Sequence, residues 1–126
     1  MEPQNNLTTD DNGKTAGIIS YLSIIGWLIA YFAFHANKKT ELGSYQLRQT
    51  LLLHIAYIAF YFIWNTIIVS LLFASLTLAA LVSTVTWVFG LGFFVLWIIG
   101  FIGAINGEKK PIPLLGDKAQ TLFAGI

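Results

Sequence analysis

The sequence predicts an all-α fold: an integral membrane helical bundle of three transmembrane helices with a short C-terminal interfacial helix. Three observations predict it. The 59-residue run from Gln49 to Gly107 carries no Asp, Glu, Lys or Arg. A single crossing takes about 20 apolar residues at 1.5 Å each, so the run is too long for one. It is also too apolar for a soluble core helix, which keeps a polar face for water. Hydrophobic residues make up 56% of the 126 and charged residues 10%, against about 45–50% and about 25% in ordinary soluble domains. Finally, a separate apolar stretch, Ala16–Phe34, precedes the run and is itself long enough to cross.

Composition excludes several function classes. A net charge of +1 supplies no basic field for nucleic acid. The chain has no cysteine, which removes disulfides, thiol nucleophiles and thiolate metal sites. The first fourteen residues are polar and carry Glu2, Asp10 and Asp11, unlike the basic start of a cleavable signal peptide. Residues 1–14 read as a disordered tail with little to bury. Residues 15–126 then form a single transmembrane domain.

The first span is expected over residues 16–35. Ser23, Gly26, Ala30 and Ala33 recur there at helical spacing and make a strip of small residues, the usual basis of close helix packing in lipid. The following loop, 35–48, holds Lys38, Lys39 and Arg48, with Glu41 as its only acid. Ser44 is its expected N-cap, and Arg48 is expected at the headgroups with its stem along the helix.

The charge-free run divides into two spans, expected at 49–74 and 80–106. Three spans would leave fewer than 20 residues each and no connections. Loop 35–48 and the segment after Gly107 each carry three Lys or Arg, which places both in the cytoplasm under the positive-inside tendency. Three spans in total then put the N-terminus outside and the C-terminus inside. No Pro, Gly or charge marks the turn between spans two and three. Ser75, Thr77, Ser83 and Thr84 are the polar hints, and they place it near 74–80. Gly90 and Gly92 are the expected place for a bend. Gly100 with Ala104, and Gly103 with Gly107, form small-xxx-small pairs suited to packing.

Beyond Gly107 the pattern changes. Pro111-Ile112-Pro113 cannot continue a helix. Gly116 and Asp117 look like a turn and an N-cap, after which Ala119, Leu122, Phe123 and Ile126 line one side of a short interfacial helix within 107–126.

Polar residues inside a membrane are the first functional candidates. Thr50, His54, Tyr61 and Asn65 fall on one face of span two. Such a face can line a substrate path, or it can hold helices together by hydrogen bonds worth about 0.6 kcal/mol each; the structural use is favoured. Lys38, Lys39, Arg48, Lys109 and Lys110 are candidate contacts to cytoplasmic headgroups. The two histidines and the absence of carboxylates within spans give no metal-ligand pattern, so neither metal nor cofactor is expected. No serine motif accompanies His54, so no catalytic residues are assigned. Trp27, Trp64 and Trp97 fall inside spans, away from the interfaces where tryptophan belts sit.

Two segments carry a family resemblance: KKTELGSYQLRQTLLL at residues 38–53 and IGAINGEKKPIPLLGDKAQTLF at residues 102–123. Together with the apolar spans, over about residues 15–123, they resemble a family of small bacterial polytopic membrane proteins. That family is distantly similar to the membrane subunit of the chloroplast inner-envelope protein-import translocon. The most specific parts are Arg48-Gln49 and the Asn-Gly-x-Lys…Pro-x-Pro-Leu-x-Gly pattern from Asn106 to Gly116. Many relatives carry a histidine just before the Arg-Gln pair, where Gln46 stands here. The resemblance implies a compact helical bundle in a bacterial inner membrane and a link to protein translocation; its chloroplast members have four spans.

The expected function is therefore that of a non-enzymatic accessory or scaffold subunit in the bacterial cytoplasmic membrane. Its partners would be the lipid bilayer and either further copies of itself or other membrane proteins, and no nucleic acid. The alternative is a small oligomeric transporter or channel using the polar face of span two.

Overall fold

The structure, a computed structural model, describes residues 2–126, with side chains from residue 12 onward. It is all-helical, with no strand among the described residues. The order is α1 (Glu2–Leu22), α2 (Ile24–Ile29) continuing as a π-helical turn (Ala30–His35), α3 (Glu41–Ala74), α4 (Leu76–Ile105) and α5 (Gly116–Leu122). Of the disordered tail expected at residues 1–14, residues 1–11 lie outside the residues whose side chains are described, whereas residues 12–14 belong to α1 and Gly13 is buried against Thr40 and Gly43.

Two helices, α3 and α4, are long and apolar enough to cross a membrane. Thr40 caps α3, its Oγ1 accepting from the Gly43 N–H at 2.9 Å, with Glu41 in the first turn. The cap is one turn earlier than the expected Ser44, because Thr40 is the last extended residue of the loop. The turn between the two long helices is a single residue, Ser75, in extended conformation. Its N–H closes α3 onto the Leu71 carbonyl and its Oγ accepts from Leu78 N–H to open α4. An aromatic seam joins the helices beyond that point. Phe60 packs on Phe89 and Phe93 with centroids 4.7 and 5.5 Å apart, and the Trp64 Nε1–H donates to Thr86 Oγ1 at 2.8 Å.

The first apolar stretch departs from the single span expected at 16–35. It breaks at Ser23, whose φ of −171° and ψ of 173° are extended, and the chain doubles back. Across the turn Gly26 lies against the Ile19 carbonyl, so closely that a Cβ there would collide with it. Further along, Ala16 shares a buried cluster with Trp27, Ala30 and Leu47. At the open end, Gly13 and His35 both reach Gly43 near the start of α3. The small residues Ser23, Gly26 and Ala30 thus serve a helix folded back on itself. No Pro or charge announces this break, because a serine supplies it: Ser23 Oγ accepts from Gly26 N–H at 3.0 Å and caps α2.

The chain after α4 folds onto the same end. Gly107, with φ +68°, ends α4 in a Schellman motif: its N–H bonds the Ala104 carbonyl, and Glu108 N–H bonds that of Gly103 at 2.9 Å. The following segment inserts Ile112 into a second buried cluster with Tyr21, Leu53 and Ala104. α5 starts at Gly116, so Asp117 sits in its first turn instead of capping it. Ala119 is buried, Ile126 packs against the first cluster, and Leu122 is exposed.

α4 meets the rest through small residues. A Cβ at Gly100 would come within 2.7 Å of the Tyr21 ring and 2.8 Å of Ile112 Cδ1, whereas Gly90 and Gly92 face open space. Gly100→Ala should therefore lower stability by about 1–3 kcal/mol, as overpacking does, while Gly92→Ala should be neutral or stabilising. Detergent-solubilised melts followed by circular dichroism will read the difference; equal effects at both positions would contradict this packing.

Candidate functional site

A helix that stops inside an apolar region leaves carbonyls with no partner, and lipid offers none. The break at Ser23 creates this situation at the end of α1. Two side chains from the long helices resolve it. His54 Nε2 lies 2.8 Å from the Ser20 carbonyl and acts there as the donor. Trp97 Nε1–H donates to the Tyr21 carbonyl at 2.7 Å. A second indole, Trp27, donates to the Leu47 carbonyl at 2.8 Å and pins α2, the returning arm of the hairpin, to α3. These roles, with the Trp64–Thr86 bond, account for three tryptophans lying inside apolar helices: each indole N–H has an acceptor.

Below the break lies a buried polar layer. Gln46, Gln49 and Thr50 are fully buried on one face of α3, against Ser20 and Tyr21 of α1. Gln49 Nε2 donates to Tyr21 Oη at 2.8 Å and to the Lys110 carbonyl at 3.2 Å, and its Oε1 accepts from Ile112 N–H at 2.9 Å. Tyr21 Oη–H donates to Gln46 Oε1 at 3.3 Å, and Gln46 Nε2 donates to the Glu108 carbonyl at 2.7 Å. Ser20 Oγ–H donates to the Gly17 carbonyl at 2.7 Å, and the Thr50 hydroxyl lies 3.0 Å from Ser20 Oγ. The amides are used at both ends, so the layer ties α1, α3 and the 108–112 segment into one unit. Uncharged groups can do this within a membrane at far lower desolvation cost than ions.

The four residues of the expected polar face divide. Thr50 belongs to the buried layer and His54 to the cap of α1. Tyr61 is exposed, and Asn65 Nδ2 donates to the Tyr61 carbonyl of its own helix at 2.9 Å. Thr66 and Ser70 also bond back to their own helix. Of the small residues, Gly100 lies beneath Tyr21, Gly103 beneath the Lys110 side chain, and Ala104 in the core with Ile112. Sequence reasoning missed Gln46, Gln49, Ser20 and Tyr21 as a group. Their signal is the spacing of 46, 49, 50 and 53 on one helical face at the edge of an uncharged run.

The cations gather at the same end as the tail. Arg48 donates from Nη1 to Gln120 Oε1 at 3.3 Å and from Nη2 to the Ala124 carbonyl at 2.9 Å. Lys39 Nζ donates to the Gly125 carbonyl at 3.3 Å, and Lys109 pairs with Glu41 at 3.1 Å. Lys38 and Lys110 are exposed. His35 Nε2 lies 2.9 Å from the Ile126 main-chain oxygen. No cluster of three or more His, Asp or Glu side chains suited to a metal occurs among the described residues.

At the tip of the hairpin, a cleft of about 510 Å³ lies between the Ser23 turn and the long helices, lined by Leu22, Ile24, His54, Tyr57, Phe93 and Trp97 among others. It is mostly apolar and opens to the side of the bundle.

No protein-family model, curated protein or solved structure matches this chain.

His54→Leu should lower stability by about 1 kcal/mol, because it strips the Ser20 carbonyl of its donor. Asn65→Leu, which removes only a bond within one helix, should change it by less than about 0.5 kcal/mol. Unfolding in mixed micelles will compare them; a larger effect at Asn65 would contradict the assignment.

Proposed function

We propose that the chain is a non-enzymatic membrane subunit that works by lateral association through the outer part of the α3–α4 hairpin. The observation that carries this reading is the division of the molecule into two parts. At one end α1, α2, α3 and the tail form a packed unit with buried polar groups. Beyond the Ser23 turn, α3 and α4 continue for about 20 residues, roughly 30 Å of helix, packed among the described residues only on each other. Phe62, Ile63, Phe73, Leu76, Trp87 and Val88 are all more than 60% exposed there, too much apolar surface for water to cover. Small membrane subunits bury such faces against lipid or other helices.

The resemblance to the import-component-like family supports a bacterial cytoplasmic membrane and an accessory role in a larger complex, with protein translocation as the process to test first. The contacts of both histidines with main-chain oxygens support a structural use for them. The channel alternative gains little, since Thr50 and His54 are consumed inside the packed end while Tyr61 and Asn65 lie on the exposed part.

We also revise the expected topology. Residues 13–35 enter and return on one side, so α3 and α4 become the two crossings in place of three spans. Lys14 lies beside Gly107, its Cδ 3.8 Å from where a Cβ would sit. That contact supports placing the start of the described chain on the cytoplasmic side with the tail, in place of an outside N-terminus.

The test is site-specific photo-crosslinking in native membranes followed by mild-detergent purification. A crosslinker at Phe62 or Trp87 should capture a second copy or a membrane partner in fixed ratio, and one at buried Leu47 should capture neither. If the two exposed positions yield only lipid adducts, the association reading fails.

A further inference from the structure

The packed end holds a second recess, separate from the apolar cleft. A pocket of about 470 Å³ opens where the first two turns of α3 meet the tail, lined by Lys39, Ser44, Tyr45, Arg48, Lys109 and Gln120 among others. With Thr40, three cations, three hydroxyls and a carboxamide therefore line one space. Glu41 is the acid in the lining, and Lys109 holds it.

Arg48 is the most constrained of these groups. Its two terminal nitrogens are fixed by Gln120 and by the Ala124 carbonyl, which sets the plane of the guanidinium. Its Nε–H is buried and has no partner among the described residues. Each terminal nitrogen keeps a second N–H beyond the bond that holds it, and a guanidinium fixed in this way suits the oxygens of a phosphate. The flexible ammonium groups of Lys39 and Lys109 add point charge, and the hydroxyls of Ser44 and Tyr45 can donate to further oxygens. Lys38 and Lys118 are equally charged but stand outside this lining.

We propose that this pocket binds a phosphate group, carried by an anionic phospholipid headgroup or by free phosphate. The site goes beyond the association reading and does not depend on a partner protein. It lies at the end of α3 that carries the loop cations, where headgroups meet the protein if α3 crosses the bilayer.

Native mass spectrometry of the purified full chain in mild detergent tests it, with dioleoyl phosphatidylglycerol, dioleoyl phosphatidylcholine and inorganic phosphate as probes. The glycerol lipid should be retained at least about tenfold more tightly than the choline lipid. Lys39→Gln and Lys109→Gln should each weaken it about fivefold, the effect of one cation at a membrane surface, while Lys38→Gln and Lys118→Gln leave it unchanged. Arg48→Gln should abolish it. Because Arg48 also holds the tail, the two lysine variants decide the matter if that protein misfolds. Inorganic phosphate binding with the same variant pattern, and no preference between the lipids, would support the pocket and assign it to free phosphate. Neither probe binding, or Lys38→Gln acting as strongly as Lys39→Gln, would overturn the proposal.

Discussion

The fold depends on how the chain satisfies a helix end placed among apolar side chains. At Ser23 the backbone leaves the helical path. The carbonyls of Ser20 and Tyr21 then lose the partners that a continuous helix would give them, and a lipid surrounding cannot replace them. His54 from α3 and Trp97 from α4 take up those bonds at 2.8 and 2.7 Å. The break therefore exists only where both long helices are in place. Conversely, their two polar side chains are satisfied only where the break is. This mutual requirement fixes the depth of the hairpin along α3 and α4, with no ion pair inside the bundle among the described residues.

The polar layer beneath the break extends the same logic to the tail. Gln46 and Gln49 each bridge from Tyr21 to the main chain of residues 108–112. Ile112 enters the core beside them, and Gly100 leaves room for the Tyr21 ring. The tail is consequently part of the packed unit. The outer hairpin is held differently, by an aromatic seam and one indole–hydroxyl bond. Its remaining surface has no counterpart among the described residues, and the proposed subunit role rests on this asymmetry.

Much of this was legible in the sequence, and for physical reasons. Long uncharged runs predict apolar helices because water-facing helices need charge, and α3 and α4 follow that rule. Ser75 falls within the predicted turn region because it is among the few polar residues there. The doubling back at Ser23 was not legible. Residues 16–35 have the length and apolarity of a span, and hydropathy does not distinguish one continuous helix from two shorter ones. The distinction rests on partners far away in sequence, His54 at a separation of 34 residues and Trp97 at 76. Likewise the pairing of Gln46 and Gln49 was not legible, because their acceptors belong to a segment some 60 residues onward.

The absence of native cysteine makes the central claim directly measurable. Single cysteines at Lys14, Asn37, Thr77 and Lys118 can be probed with a membrane-impermeant maleimide in sealed vesicles of known orientation. A doubled-back segment requires Lys14, Asn37 and Lys118 to label from one side and Thr77 from the other. Labelling of Lys14 from the side opposite Asn37 would mean that residues 16–35 cross as one span, and would contradict the account built on Ser23.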